Sequence, residues 1–112
     1  MITGIGCDIV AIKRFRSNAR QLAERVLTPQ EKILYEALSE IRRPEWLAGR
    51  FAAKEAIVKA IGQGLTLSQI SVLSDFEGKP VCAIEGYLVL VSISHEAEFA
   101  IAYAIAQTPE LA

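Results

Sequence analysis

The sequence predicts an α+β fold in which an antiparallel sheet packs on a long helix. Three observations carry this expectation. The elements run in the order one strand, then helices, then a series of strands. The helical stretch in the middle is apolar on most of its circumference, so it requires cover on more than one side. The last strand-like stretch, Phe99 to Ala106, alternates large residues with alanines, as a strand does when one of its faces is packed closely. The 112 residues are 52% hydrophobic and 22% charged, with 4 Pro and 7 Gly. That length suits one domain, 1–112, and that composition excludes disordered, collagen-like and low-complexity sequence.

Residues 2–10 form the first expected strand. Ile2, Gly4, Gly6, Asp8 and Val10 share one face, and Thr3, Ile5, Cys7 and Ile9 the other. Two glycines strip side chains from the first face, which points to close approach of another backbone or a ligand. Lys13, Arg14, Arg16, Arg20 and Arg25 follow in a polar segment whose spacing suits one helix or two short ones. Thr28-Pro29-Gln30-Glu31 then combines an N-cap, a Pro at the first helical position and an acid three positions after the cap. It predicts a helix from Pro29 to near Leu38.

Pro44 opens the long helix, which runs through Trp46, Leu47, Phe51, Ala52, Ala53, Ala56, Ile57 and Ile61 and is broken at Gly62. A sheet is its expected cover on one side, with another subunit as the second. Strands are expected at Ile70 to Leu73, Val81 to Ile84, Tyr87 to Ser94 and Phe99 to Ala106, with a turn at Asp75-Phe76-Glu77-Gly78-Lys79. In the last strand Phe99, Ile101, Tyr103 and Ile105 oppose Ala100, Ala102, Ala104 and Ala106. The alanine face offers a smooth surface to a helix or a neighbouring subunit. Cys7 and Cys82 lie singly in apolar strands without a CxxC spacing, and both are expected to be buried thiols. No basic flank precedes an apolar stretch at the N-terminus, and no apolar run reaches the ~18–20 residues of a membrane span. The expected location is the cytoplasm, with no membrane partner.

The net charge of -1 is an average over two unlike halves. Residues 1–59 hold 11 of the 12 Lys and Arg against 7 acids, while residues 60–112 hold Lys79 alone against 6 acids. The basic half suits phosphates or an acidic partner. Within it, Asp8 is a carboxylate in a glycine-rich apolar strand, so it requires a cation, either a basic side chain or a metal. Lys54, Glu55 and Lys59 fall on the long helix, Glu55 and Lys59 on one face, where the bland reading is a helix-stabilising pair. Gly62-Gln63-Gly64 follows as a turn whose backbone can approach a phosphate. His95, the one histidine, ends the run Ser92-Ile93-Ser94-His95. No nucleophile elbow surrounds any Ser, which argues against Ser-His-Asp chemistry. Two carboxylates from different elements beside a Lys and a glycine turn point to a magnesium–phosphate site, and to no particular substrate.

Four segments resemble the holo-[acyl-carrier-protein] synthases, the small single-domain 4'-phosphopantetheinyl transferases. Residues 4–15, Gly4-Ile5-Gly6-Cys7-Asp8 through Phe15, are similar to the N-terminal strand motif, and 50–62, Arg50-Phe51-Ala52-Ala53-Lys54-Glu55 through Gly62, to the long-helix signature. Ser92 to Glu96 resembles the C-terminal hairpin, and Gly78-Lys79-Pro80 the turn before it. The resemblance implies the phosphopantetheinyl transferase fold, assembled as a homotrimer with active sites between subunits. It implies transfer of 4'-phosphopantetheine from coenzyme A to a Ser of apo acyl-carrier protein, releasing adenosine 3',5'-bisphosphate. Asp8 and Glu55 are implied Mg²⁺ ligands, Lys59 the pyrophosphate partner, and Glu55 or a water on the metal the general base. His95, with Arg42 and Arg50, is implied to bind a coenzyme A phosphate, with Gly62 beside the bound nucleotide. Arg14, Arg25 and Leu22 match the surface that docks the acidic helix of the carrier, and no nucleic acid is expected. A noncatalytic coenzyme A or nucleotide-binding module of the same fold is the alternative.

Overall fold

A computed structural model describes residues 1–62 and 64–109 of the chain. Strand β1 (Ile2–Ala11) leads into two short helices, α1 (Arg14–Ser17) and α2 (Ala19–Val26). Helices α3 (Pro29–Ala37) and α4 (Arg43–Ile61) follow, then β2 (Val72–Ser74), β3 (Pro80–Ile84), β4 (Tyr87–His95) and β5 (Phe99–Gln107). The five strands form one antiparallel sheet in the order β1-β5-β4-β3-β2. The α+β expectation holds, with β2 starting two residues later than the sequence predicts and β4 extending to include His95.

The start of α3 follows from local chemistry. Thr28 Oγ1 accepts the Glu31 amide at 3.2 Å, and Glu31 Oε1 accepts the Thr28 amide at 2.9 Å, so two backbone donors at the helix start are satisfied reciprocally. At the other end of the helical segment, Gly62 closes α4 with φ +76° and donates its amide to the Val58 carbonyl, a left-handed cap that a side chain would oppose.

Helix α4 lies against the sheet and is fully enclosed along Leu47, Ala48, Ala52, Ala53, Ala56 and Ile57. The close approach expected at the β1 glycines is real, and the other partner is this helix. A Cβ at Gly4 would stand 1.7 Å from the Ala60 carbonyl oxygen, and one at Gly6 1.9 Å from that of Ala56. The alanine face of β5 completes the seat, since Ala100, Ala102, Ala104 and Ala106 are all fully buried. Of the two covers expected for the alanines, a helix or a neighbouring subunit, the helix is the one that forms, while Trp46, Phe51, Val58 and Ile61 of α4 stay only half-buried in the single chain. Small residues on both surfaces let the backbones close to a distance that larger side chains would forbid.

The opposite face of the sheet is open in the chain. Ile5, Ile9, Leu88, Leu90, Phe99 and Tyr103 are each at least 42% exposed, all from the outward positions of β1, β4 and β5. Cys7 shares that face and is exposed, contrary to the buried thiol expected. Polarity misleads on the two faces of β1, because the face that carries Asp8 is the one that takes the helix; the glycines decide it. Cys82 is half-buried, and burial pushes its thiol up to about 11. No helix among the described residues is long and apolar enough to cross a membrane.

Candidate active site

Strand β1 and helix α4 together build the first cluster. With Gly4 opposite Ala60 and Gly6 opposite Ala56, two strand residues match four helical ones, since both advance about 6–7 Å. The same register brings Asp8 to the turn of α4 that carries Glu55. Lys59 Nζ donates to Asp8 Oδ1 at 3.3 Å and to the Cys7 carbonyl at 3.0 Å. Lys59 therefore answers the cation requirement of Asp8 instead of pairing with Glu55 along the helix. Among the described residues Glu55 makes no salt bridge.

The second carboxylate oxygen of Asp8, Oδ2, is buried and has no hydrogen-bond partner. A buried unsatisfied polar atom costs about 1–3 kcal/mol, and more when charged. An oxygen left in that state, with the uncommitted Glu55 carboxylate one turn from Lys59 on the same helix face, suits a hard divalent cation, which takes one or two carboxylates with the remaining positions filled by phosphate and water. The residues present thus fit Mg²⁺, although no group of three or more ligating side chains occurs among the described residues. Gly62 lies three residues beyond Lys59 at the exposed end of α4. Gln63, the middle of the glycine turn, lies outside the described residues.

A second cluster lies on the other side of α4. Arg42, Glu45, Arg50, Gly78 and His95 line one cavity of about 290 Å³, together with Trp46 and Ile93. His95 Nδ1 stands 3.7 Å from the Glu45 carboxylate. Arg50 is largely committed: its Nε donates to the Val72 carbonyl at 3.1 Å, one terminal nitrogen to Ser74 Oγ at 3.2 Å, and its plane stacks over Trp46 at 4.4 Å. Burial lowers its pKa, and the nearby Glu31 carboxylate partly offsets this. Arg50 fixes α4 to β2 and presents what remains of its guanidinium to the cavity, whereas Arg42 and His95 are exposed.

Lys54 belongs to neither cluster. It is fully buried, paired with Glu31 and bonded to the Val26 carbonyl. Desolvation lowers its pKa and the Glu31 contact opposes that. Glu31 Oε2 also accepts the Val72 amide at 2.7 Å. One acid thus caps its own helix, neutralises α4 and holds β2. Lys54, which the sequence sets next to Glu55 on the long helix, therefore takes no part in the Asp8 cluster. The signal was its spacing, three residues before Ile57 and seven after Leu47, which places it on the apolar stripe.

Arg14 and Arg25 are exposed on α1 and α2 and form no salt bridge among the described residues, and Leu22 is half-buried. The glycine strand closed against α4 thus carries an Asp8–Lys59 pair at the contact, with Glu55 one turn before Lys59 on the same helix face. The chain belongs to the 4'-phosphopantetheinyl transferase superfamily, whose pattern it matches over residues 4–104. Its curated relatives include the holo-[acyl-carrier-protein] synthase of Geobacillus kaustophilus, 46% identical over 94% of this chain and 88% of that one. The enzyme of the same name from Bacillus subtilis is 45% identical, over 94% and 95%. The crystal structure of the Bacillus anthracis holo-(acyl-carrier-protein) synthase in complex with CoA (3',5'-ADP) matches with a TM-score of 0.92 at 38% identity, covering 97% of this chain and 99% of that one.

Proposed function

We propose that the protein transfers 4'-phosphopantetheine from coenzyme A to a Ser hydroxyl of an apo acyl-carrier protein, leaving adenosine 3',5'-bisphosphate. The observation that carries this reading is Asp8, held by Lys59 on one oxygen and left buried and unpaired on the other, with Glu55 one turn before Lys59 on the same face of α4. The Ser oxygen forms a bond to the β-phosphorus of coenzyme A as the bond from that phosphorus to the oxygen of the nucleotide leaving group breaks. Lys59, half-exposed at its tip, places its ammonium against the negative charge that develops on the pyrophosphate oxygens. Glu55 receives the Ser proton on its carboxylate. Mg²⁺ held by Asp8 and Glu55 would neutralise the pyrophosphate as a Lewis acid. The exposed Arg42 and His95, with Arg50, bind a phosphate of coenzyme A in the second cavity, and Gly62 leaves the end of α4 open to the nucleotide.

The active site lies between subunits of a homotrimer in this reading. Glu55 and Arg50, five positions apart, stand about 140° apart around α4, so the two clusters face away from each other in one chain. A coenzyme A molecule touching both kinds of residue takes them from two chains. The open apolar sheet face supplies the surface that self-association would cover. Arg14, Arg25 and Leu22 form the surface for the acidic carrier, and the cytoplasm, which holds coenzyme A, is the implied compartment.

Mass spectrometry of apo carrier protein incubated with coenzyme A tests the function. Addition of one phosphopantetheine per carrier, dependent on Mg²⁺, is expected; none across a panel of carriers would leave a binding module only. The assembly has its own test through the two thiols. At pH 8 iodoacetamide should spare Cys82, whose thiol stays protonated until pH nears about 11. Cys7 should react slowly in the assembled protein and fast in a Tyr103→Glu variant that disrupts the outer face. Fast labelling of Cys7 in a protein that elutes as a trimer would show that this face is not the interface.

A further inference from the structure

Arg14 is an exposed cation with no ion pair among the described residues, yet it is not free to wander. Its guanidinium carbon lies 5.0 Å from the Phe51 ring centroid and 5.8 Å from that of Phe15. The two rings meet at 5.5 Å and 56°, and Phe15 is fully buried, so the pair is anchored in the core. Phe51, Glu55 and Lys59 repeat every four residues along α4, which sets them on one face about 6 Å apart. The ring under Arg14 and the carboxylate and ammonium of the reaction are therefore carried by one rigid helix.

We infer that Phe51 is a positioning residue for the carrier protein: its ring seats Arg14 one helical turn from Glu55, so that the guanidinium already stands in place when the carrier's acidic helix docks. This rests on the carrier-docking reading above. A long arginine side chain loses substantial rotamer freedom when it pairs with a partner. Cation–π contact restricts it beforehand, so less is lost on docking.

Steady-state kinetics of Phe51→Leu, which keeps an apolar side chain against Phe15 and removes the ring, provide the test. The carrier KM should rise about two- to fivefold, the range of an exposed cation–π contact, with kcat and the coenzyme A KM held. Phe51→Tyr should restore the carrier KM. In an Arg14→Ala background Phe51→Leu should add nothing. An equal rise in that background, or no rise in either, overturns the inference and leaves the docking surface standing. An Arg14→Ala variant with an unchanged carrier KM would instead remove the docking surface itself, and the inference with it.

Discussion

Glu55→Gln and Asp8→Asn should each lower kcat for phosphopantetheine transfer by about a hundred- to a thousandfold, the scale of losing one preorganised charge-stabilising group. Both changes keep side-chain size. At position 8 the amide would also present donor hydrogens where the carboxylate offers Lys59 one acceptor at 3.3 Å and holds the other oxygen buried. At position 55 it removes the proton acceptor. Neither residue supports the hydrophobic core, so circular dichroism and size-exclusion profiles should match the parent. Transfer at the parental rate in either variant, at saturating Mg²⁺, would sink the assignment of that carboxylate. A simple rise in KM for coenzyme A with kcat intact would turn it into a binding residue.

The largest expected stability effect lies elsewhere, at Lys54→Met. The variant fits the volume of the stem but leaves Glu31 buried without its cation. Breaking one side of a buried pair typically costs about 3–5 kcal/mol, which is a large fraction of the stability of a domain of this size. Urea unfolding should show the loss directly. A second substitution, Glu31→Gln in the same chain, removes the stranded charge and keeps an oxygen for the Thr28 or Val72 amide. It should recover a substantial part. If Lys54→Met is as stable as the parent, the pair does not hold the helices and β2 together.

Much of this architecture is legible in the sequence because local chemistry and pattern agree there. The capping box at Thr28 and Glu31, the stop at Gly62 and the alternation in β5 each predict what forms. Asp8 is legible too, since a carboxylate among glycines and aliphatics requires a cation, and Lys59 is there. What was not legible depends on partners distant in sequence. Glu31 reads as a cap and is also a buried counter-ion, a role set by Lys54, 23 residues away. Cys7 reads as buried because its own face, with Ile5 and Ile9, is apolar, and only the packing of α4 on Gly4 and Gly6 turns that face outward. The alanines of β5 are correctly read as a packing surface, but pattern alone does not say whether the cover comes from the same chain.

Glu31 and Arg50 also have a consequence for encounters between molecules. Strand β2 ends the sheet, and an end strand with free amides and carbonyls is a template onto which another chain can add. Here the Val72 amide is taken by Glu31 and its carbonyl by Arg50. The two side chains engage both backbone groups of Val72 and stand in the way of an incoming strand, which favours association through the apolar face over end-to-end growth at this edge. Aggregation by edge addition is accordingly the failure to look for when that cover is lost.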